Sequence, residues 1–520
     1  MKVMHTTVSN GHSVFLLHVV LLGALLLSPI SAWCAVSISD PDITDHVEVE
    51  FIFDPAVPFN SIDVSTDKGI VTLTGTVTNL LARERSTQIA ETVRGVRSVV
   101  NRIDVDPLVD RSGRSLRKAV NDALLYDAAA DSYEISVSAD DEGQVTLTGT
   151  VDSWHERELS ETVAKGVSGV TGINNNIIIK AKSERPDTEI KPEIEKRLQW
   201  DTLVDNALIN VRVEDGKVYL SGVVGSAAEK RRAEWDAHVA GVEAVDSAEL
   251  KVERWARDKN LRKNKYVERS DLEIRKAVQD ALLYDPRVYA FNLDVTATGG
   301  IVTLRGVVDN IQAKKAAIRD ARNTVGVIGI NSLIKVRPVA RIDDDKIAEN
   351  VRNALLRNPF TESYEIKVQV KNQVARLNGT VDSYFEKAEA ENVAFRAKGV
   401  TDVKNSLTVS YPAIVIYNPY IYSWTIYDYP WYKSAAIISN KSDWVIKQAI
   451  ESEFLWSPFV DSDDITVSVE DGIATLTGSV DSIRENEAAE QNAFEGGAKA
   501  VVNKLRIMLI NDRLFFGMTQ

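Results

Sequence analysis

The sequence predicts an α+β chain made of six small tandem domains. Each is expected to have the order helix–strand–strand–helix–strand, with two helices packed on one face of a three-stranded mixed sheet. Two observations predict this fold class. One strand-like pattern with a single glycine occurs six times, and a Gly-Val or Gly-Ala pair follows that glycine after 19 or 20 residues in every copy. Self-similarity of this kind indicates a repeat architecture.

The repeated strand is clearest in its first copy, Ile70–Val77. Apolar and polar residues alternate there, which is typical of a strand with one buried face. A glycine inside a strand indicates close approach of another backbone, which we expect to be a helix crossing the sheet. The six glycines, called marker glycines below, are Gly75, Gly149, Gly222, Gly306, Gly379 and Gly478.

The other elements follow from the residues around each marker strand. In the fourth copy, Ile274, Val278 and Leu282 form the apolar stripe of a first helix, and Asp271 is its expected N-cap. A strand and a tight turn such as Asp215-Gly216 come next, then the marker strand, a second helix and a last strand. The first copy is expected to have a poor first helix, because prolines interrupt residues 53–58.

This pattern divides the chain into nine segments. They are a signal peptide (1–35), repeat 1 (40–107), repeat 2 (112–181), repeat 3 (187–253), a basic linker (254–268), repeat 4 (269–338), repeat 5 (342–410), an aromatic connector (411–434) and repeat 6 (440–511).

Each unit resembles a BON domain, the module of bacterial osmotically induced periplasmic proteins and related envelope proteins. The resemblance lies in the Val-x-Leu-x-Gly-x-Val strand and in the Gly-Val-x-x-Val junction after the second helix. It implies a non-enzymatic protein that binds phospholipid or envelope partners.

The amino terminus has the pattern of an export signal. Lys2 precedes a long apolar run, and small residues follow Pro29, so cleavage is expected after Ala32 or Ala35. The protein is then expected in the periplasm, either soluble or peripheral to a membrane, with no transmembrane segment left after cleavage. Cys34 is the one cysteine, and its lipidation is the alternative to simple cleavage, although Trp33 beside it disfavours a lipidation box.

Neither the composition nor the motifs of the chain indicate a catalytic, metal or cofactor site. The chain has 75 acidic and 61 basic residues, so no nucleic-acid partner is expected. His46, His155 and His238 lie in different repeats and are not expected to converge, and we find no phosphate-binding loop or nucleophile elbow. We therefore predict no enzyme activity, no catalytic residues, no metal and no cofactor.

Three features are candidates for lipid or partner contact. Trp154 and Tyr384 lie in the first turn of a second helix, where each either covers its own domain or anchors the protein beside a lipid phosphate. The basic linker is either a solvated segment or a contact for anionic lipid through Arg262, Lys263 and Lys265. The aromatic connector either packs along the repeats or forms an adhesive surface; its candidates are Tyr417, Tyr420, Tyr422, Trp424, Tyr427 and Trp431.

The function that these features favour is binding of anionic phospholipid surfaces or of envelope and outer-membrane proteins, in support of envelope integrity under osmotic stress. The alternative is a periplasmic chaperone-like holdase or scaffold. The sequence leaves the oligomeric state open.

Overall fold

Six units with the same order of elements follow one another along the chain. A computed structural model describes residues 38–508, except 55, 110, 129–134, 181–184, 258–260, 262–264, 286–287, 289–290, 339–340, 362–364, 383 and 410–441. All six units belong to the segment that begins at Asp40. Of the segment before it, only residues 38 and 39 are described.

The first three repeats contain helices α1–α6 and strands β1–β9. Repeat 1 has α1 (Asp40–Phe53), β1 (Ile62–Asp67), β2 (Ile70–Val77), α2 (Leu80–Thr92) and β3 (Ser98–Val105). Repeat 2 has α3 (Gly113–Tyr126), β4 (Ile135–Ala139), β5 (Gln144–Val151), α4 (Trp154–Lys165) and β6 (Gly172–Ile179). Repeat 3 has α5 (Asp187–Trp200), β7 (Ile209–Glu214), β8 (Lys217–Val224), α6 (Ala227–Ala237) and β9 (Ala244–Val252).

The last three repeats contain α7–α12 and β10–β18. Repeat 4 has α7 (Asp271–Tyr284), β10 (Asp294–Thr298), β11 (Ile301–Val308), α8 (Ile311–Arg322) and β12 (Gly329–Val336). Repeat 5 has α9 (Asp344–Arg357), β13 (Lys367–Lys371), β14 (Val374–Val381), α10 (Tyr384–Arg396) and β15 (Asp402–Val409). Repeat 6 has α11 (Asp443–Trp456), β16 (Ile465–Glu470), β17 (Ile473–Val480), α12 (Ile483–Glu495) and β18 (Ala500–Ile507).

Every repeat forms its own three-stranded sheet with the marker strand in the middle. In repeat 1, β1 pairs antiparallel with β2, and β3 pairs parallel with β2 on its other side. Residues from both helices and from the inner face of the sheet form one core in repeat 3, where Ile194 and Ala233 of the helices join Leu220 of the marker strand. The predicted α+β repeat with a mixed sheet is confirmed.

The expectation that a crossing helix requires the marker glycines was wrong, because at Gly75, Gly222, Gly379 and Gly478 an added Cβ atom would instead overlap a backbone carbonyl in the segment that leads into the neighbouring strand. Gly222 has a φ of 112°, and a Cβ atom there would overlap the carbonyl oxygen of Leu208. Leu208 ends a short 3₁₀ turn that leads into β7, whose first residue, Ile209, is paired with Gly222. This turn brings the Leu208 carbonyl against the marker strand, so only glycine fits.

A second recurring contact joins the start of the first helix to the hairpin turn. The N-cap of α7 is Ser270, in a capping box with Glu273, and not the expected Asp271. The Asp271 carboxylate instead accepts hydrogen bonds from the backbone N–H groups of Gly299 (2.9 Å) and Gly300 (3.0 Å). Four other repeats make the same contact, through Asp40, Asp187, Asp344 and Asp443.

Repeat 2 makes this contact in reverse. Gly113 begins α3, and its N–H donates to the Asp141 carboxylate of the hairpin turn at 2.7 Å. A Cβ atom at Gly113 would lie 2.5 Å from the carbonyl oxygen of Ala139. The carboxylate has therefore moved to the turn, because the helix start has no room for a side chain.

The first helix of repeat 1 is not poor, contrary to expectation. It spans 14 residues, as many as α3 or α7, and it ends before the proline-rich stretch begins. The prolines follow the helix and do not interrupt it.

Backbone bridges join repeats that are distant in sequence. Repeats 2 and 5 are joined by an antiparallel bridge between Asp127 and Ala397, and repeats 3 and 4 by one between Asp201 and Thr324. In both pairs, the segment after one repeat's first helix meets the segment after the partner's second helix. The hydrogen bonds run from Ala128 N to Arg396 O, Lys398 N to Tyr126 O, Thr202 N to Asn323 O and Val325 N to Trp200 O.

We predict that Gly222→Ala destabilises the protein by roughly 3 kcal/mol or more, because it adds a backbone collision to the strain of a positive φ. The matched control is Gly299→Ala. Its φ is also positive (57°), but nothing lies within 4 Å of the added Cβ, so a loss of about 1 kcal/mol is expected. Urea unfolding of both variants provides the measurement. Equal losses would contradict the close approach.

Candidate functional site

The predicted contact residue Trp154 lies between repeats 2 and 3. Ser153 caps α4 by accepting a hydrogen bond from Glu156 N at 3.2 Å, so Trp154 becomes the first residue of that helix. Its indole stacks on the imidazole of His238, with ring centroids 3.7 Å apart and an angle of 19°. Trp154 therefore contacts the next repeat. The sequence analysis had predicted either that it covers its own domain or that it contacts lipid, and it did not predict this contact.

Two histidines that were not expected to converge do so here. His155 is buried, with its ring 5.1 Å from Trp235, and Trp235 also meets the edge of Trp154 at 4.9 Å. We call Trp154, His155, Trp235 and His238 the aromatic cluster. The imidazole Nδ1 of His238 lies 2.8 Å from the carbonyl oxygen of Glu234, to which it donates when it carries the proton.

The position of Trp154 is an inter-repeat contact in other repeats too. The first residue of α2, Leu80, belongs to the core of repeat 2. Ile311, the first residue of α8, belongs to the core of repeat 5, and Ile483, the first residue of α12, packs against the core of repeat 4. Tyr384 begins α10, but its side chain lies outside the described part of the structure.

A cleft between repeats 3 and 4, next to the aromatic cluster, is lined by several charged side chains. It has about 720 Å³ of free space, part of it open to solvent. Helices α5 and α6 line one side and α7 and α8 the other, and His155 of repeat 2 reaches its edge. A histidine, several carboxylates and an open space thus meet, which is the arrangement that would favour an enzyme.

The charges in this cleft are paired with one another. Arg232 Nε donates to Asp201 Oδ2 at 2.9 Å, and Arg319 donates to Asp285 at 3.1 Å. Burial raises the pKa of Asp236, which is 1% exposed, to about 6, although the positive charge of Arg232 opposes the shift. A raised pKa by itself would suit a general base, but Asp236 is buried and its Oδ1 lies 3.5 Å from the guanidinium of Arg197 and 3.6 Å from that of Arg232. The cleft therefore has the character of an ion-paired seam between domains.

The basic linker contributes to the interior as well. Lys265 is only 4% exposed, and its Nζ donates to the carbonyl oxygen of Leu198 at the end of α5. Burial lowers its pKa, although four nearby carboxylates oppose this shift. Both interpretations of Lys265 from the sequence, as a solvated residue or as a contact for lipid headgroups, are therefore corrected, because its ammonium group is buried against the end of a helix.

Arg262, Lys263 and the whole aromatic connector, with Tyr417, Tyr420, Tyr422, Trp424, Tyr427 and Trp431, lie outside the described residues, as do the signal segment and Cys34. Within the described part, no helix is long and apolar enough to cross a membrane.

The structure adds two exposed indoles that sequence reasoning missed. Trp255 is 57% exposed in the linker, and Trp444 is 70% exposed near the start of α11. Helical spacing could have revealed Trp444, because the buried stripe of α11 runs through Ile446, Ile450 and Phe454. A residue two positions from this stripe points away from it.

One group of described side chains could share a metal ion. It consists of His46, Glu50 and Glu453, whose donor atoms lie within 4.8 Å of one another. The first two residues belong to α1 and the third to α11.

These observations define a class of protein, a tandem array of small α+β domains joined through buried aromatic and ionic contacts. The chain belongs to the BON domain family. The family model for the BON domain matches residues 39–107, 112–181, 186–254, 270–338, 343–411 and 442–508.

Individual proteins that are similar to this chain include one sequence and two solved structures. The chain is 30% identical over 147 residues to osmotically-inducible protein Y of Escherichia coli (strain K12), covering 27% of this chain and 73% of that protein. A structure of CdsD, a structural protein of the type III secretion system of Chlamydia trachomatis, is 14% identical and covers 43% of this chain and 93% of its own, with a TM-score of 0.11. The CdsD C-terminal domain is 15% identical, covering 46% and 100%, with a TM-score of 0.12.

The aromatic cluster generates a pH prediction. Burial lowers the pKa of His238 to about 4, and the charges of Arg197 and Arg157 act in the same direction. The unfolded chain then binds a proton that the folded chain excludes, so stability is lost as the pH falls from 6.5 towards 4. We expect this residue to remove about 2 kcal/mol between pH 7 and pH 5.

His238→Phe keeps a ring in the stack and should abolish this loss, as measured by urea unfolding at the two pH values. Asp236 has the opposite effect, because its raised pKa adds stability as the pH falls through about 6. The informative quantity is therefore the difference in unfolding free energy between the variant and the wild type, measured at each pH. If this difference is the same at pH 7 and at pH 5, His238 does not titrate as described.

Proposed function

We propose that this protein is a non-enzymatic periplasmic protein that binds anionic phospholipid surfaces or envelope proteins and supports the cell envelope under osmotic stress. Membership of the BON family and similarity to a protein named for its osmotic induction support the proposal. The export-signal pattern of residues 1–35 supports the location.

The observation that carries the lipid contact is the exposure of Trp255 and Trp444. An indole prefers a boundary that is apolar on one side and wet on the other, which is the environment of a headgroup layer. Trp444 lies beside the half-exposed Val445, and Trp255 lies in the basic linker between Arg254 and Ala256. Each indole can therefore insert without disturbing a buried contact.

Charge alone does not account for such binding. The whole chain has a formal net charge of −14, so an anionic bilayer repels it on average. Favourable attraction must come from a local cluster of positive charge, and the basic linker is the segment of the sequence that offers one. We infer that the indoles of Trp255 and Trp444 and the basic residues near Trp255 act together.

The paired charges of the cleft between repeats 3 and 4 support a non-enzymatic role. Arg232 and Arg319 bind Asp201 and Asp285 of this cleft, and Lys196 binds Asp280. Such ion pairs are typical of an interface between domains. The chaperone-like holdase remains the alternative, and no particular contact in the described residues favours it.

We predict that the double variant Trp255→Ala, Trp444→Ala binds anionic vesicles about thirtyfold more weakly than the wild type, because each indole contributes roughly 1 kcal/mol of burial. Co-sedimentation with phosphatidylglycerol vesicles and with phosphatidylcholine vesicles measures the effect at low and high salt. Leu283→Ala is the matched control, since Leu283 is 60% exposed but is not aromatic.

A further variant that replaces residues 411–434 with a glycine–serine linker of equal length tests the aromatic connector. If the wild type binds neither kind of vesicle, the lipid part of the proposal is wrong. Suppression of the aggregation of an unfolding client protein, unaffected by added lipid, would then favour the holdase.

A further inference from the structure

Two helices from opposite ends of the repeat array bring metal-ligating side chains together. His46 and Glu50 lie one turn apart on α1 of repeat 1, and Glu453 lies on α11 of repeat 6. One donor atom from each residue lies within 4.8 Å of the other two. The three donors therefore surround a space of the size that a single cation occupies.

The distance between the first two donors fits a bound ion better than a hydrogen bond. His46 Nε2 lies 3.5 Å from Glu50 Oε1. A good N–H···O hydrogen bond has its heavy atoms about 2.7–3.2 Å apart. Two ligands of one tetrahedral zinc ion, each about 2.0–2.1 Å from the metal, lie about 3.3–3.5 Å from each other.

The Nε2 atom of the His46 imidazole is available to bind a metal ion. This atom is shielded from solvent and has no hydrogen-bond partner among the described residues. A buried polar atom without a partner is rare and costly, and a metal ion would satisfy it. The ring is held in place by stacking on Trp456 of α11, with centroids 4.3 Å apart and an angle of 15°.

The surroundings are rich in negative charge. Glu453, Glu495 and Asp54 all lie close enough to Glu50 to act on its charge. Asp54 is balanced by Arg85, whose Nε donates to it at 2.6 Å. A divalent cation between Glu50 and Glu453 would offset the repulsion of the other carboxylates.

We propose that His46, Glu50 and Glu453 bind one divalent transition-metal ion that cross-links repeats 1 and 6. One imidazole and two carboxylates form a donor set suited to Zn²⁺ and similar ions, whereas Mg²⁺ prefers oxygen ligands alone. Water completes the coordination. The site departs from the sequence-based prediction of no metal, because its ligands are 407 positions apart and only folding brings them together.

Calorimetric titration of Zn²⁺ into the purified, EDTA-treated protein without a histidine tag tests this proposal. We expect one equivalent to bind to the wild type, and His46→Gln and Glu453→Gln each to weaken binding at least tenfold. Zn²⁺ should also raise the thermal unfolding midpoint of the wild type, but not of the variants. An excess of Mg²⁺ should neither displace Zn²⁺ nor raise the midpoint.

Glu451→Gln is the matched control. Glu451 is exposed on the same helix and pairs with Lys447, so its loss should leave Zn²⁺ binding unchanged. Circular dichroism establishes that each variant is folded, and Glu50→Gln replaces any variant that is not. The proposal is overturned if the wild type binds no Zn²⁺ or if folded ligand variants bind it as tightly as the wild type does.

Discussion

The contact on which the arrangement of repeats depends is made by the first residue of the second helix in repeats 1, 2, 4 and 6. A serine or asparagine caps this helix in all the repeats where the cap is described, and the cap fixes where the next side chain points. Leu80, Ile311 and Ile483 enter or pack against the core of another repeat. Trp154 stacks on His238 of the next repeat. A unit of 65–70 residues has a small core, so burial shared with a neighbour matters to its stability.

The same helices also bury polar residues, such as Arg85 of α2 and Asp236 of α6. Burial of a charge is costly unless it is paired, and these two pair within their own repeats, with Asp54 and Arg232. Arg484 of repeat 6 instead donates to Asn323 of repeat 4 at 2.7 Å. Pairing of buried polar groups thus contributes to which repeats come together, beyond what apolar contact alone would specify.

The elements within a repeat could be predicted from the sequence because they depend on neighbours in the chain. Alternation in Ile70–Val77 and the stripe through Ile274 and Val278 predict a strand and a helix, and both form. The close approach to Gly222 was attributed to the wrong element, because the 3₁₀ turn that ends at Leu208 has no strong sequence signature. The N-cap was misplaced by one residue, since Ser270 and Asp271 are both good caps and only the turn contact of Asp271 separates them.

The candidate sites could not be predicted, because they are formed by residues from different repeats. His155 and His238 join one aromatic cluster, and His46 approaches Glu453, only after the helices of separate domains pack together. A contact between residues that are distant in sequence leaves no local sequence pattern. For the same reason Lys265 was predicted to lie on the surface, although it is buried. Because buried charges and rings join these repeats, separating them would expose paired groups such as Arg232 and Asp201 to water and remove the stacked contacts. Trp444 lies on α11, and the linker that carries Trp255 is joined to repeat 6 by hydrogen bonds from Arg257 to the carbonyl oxygens of Ser457 and Pro458. Both indoles are therefore held in position, and a partner that engages them need not order them first.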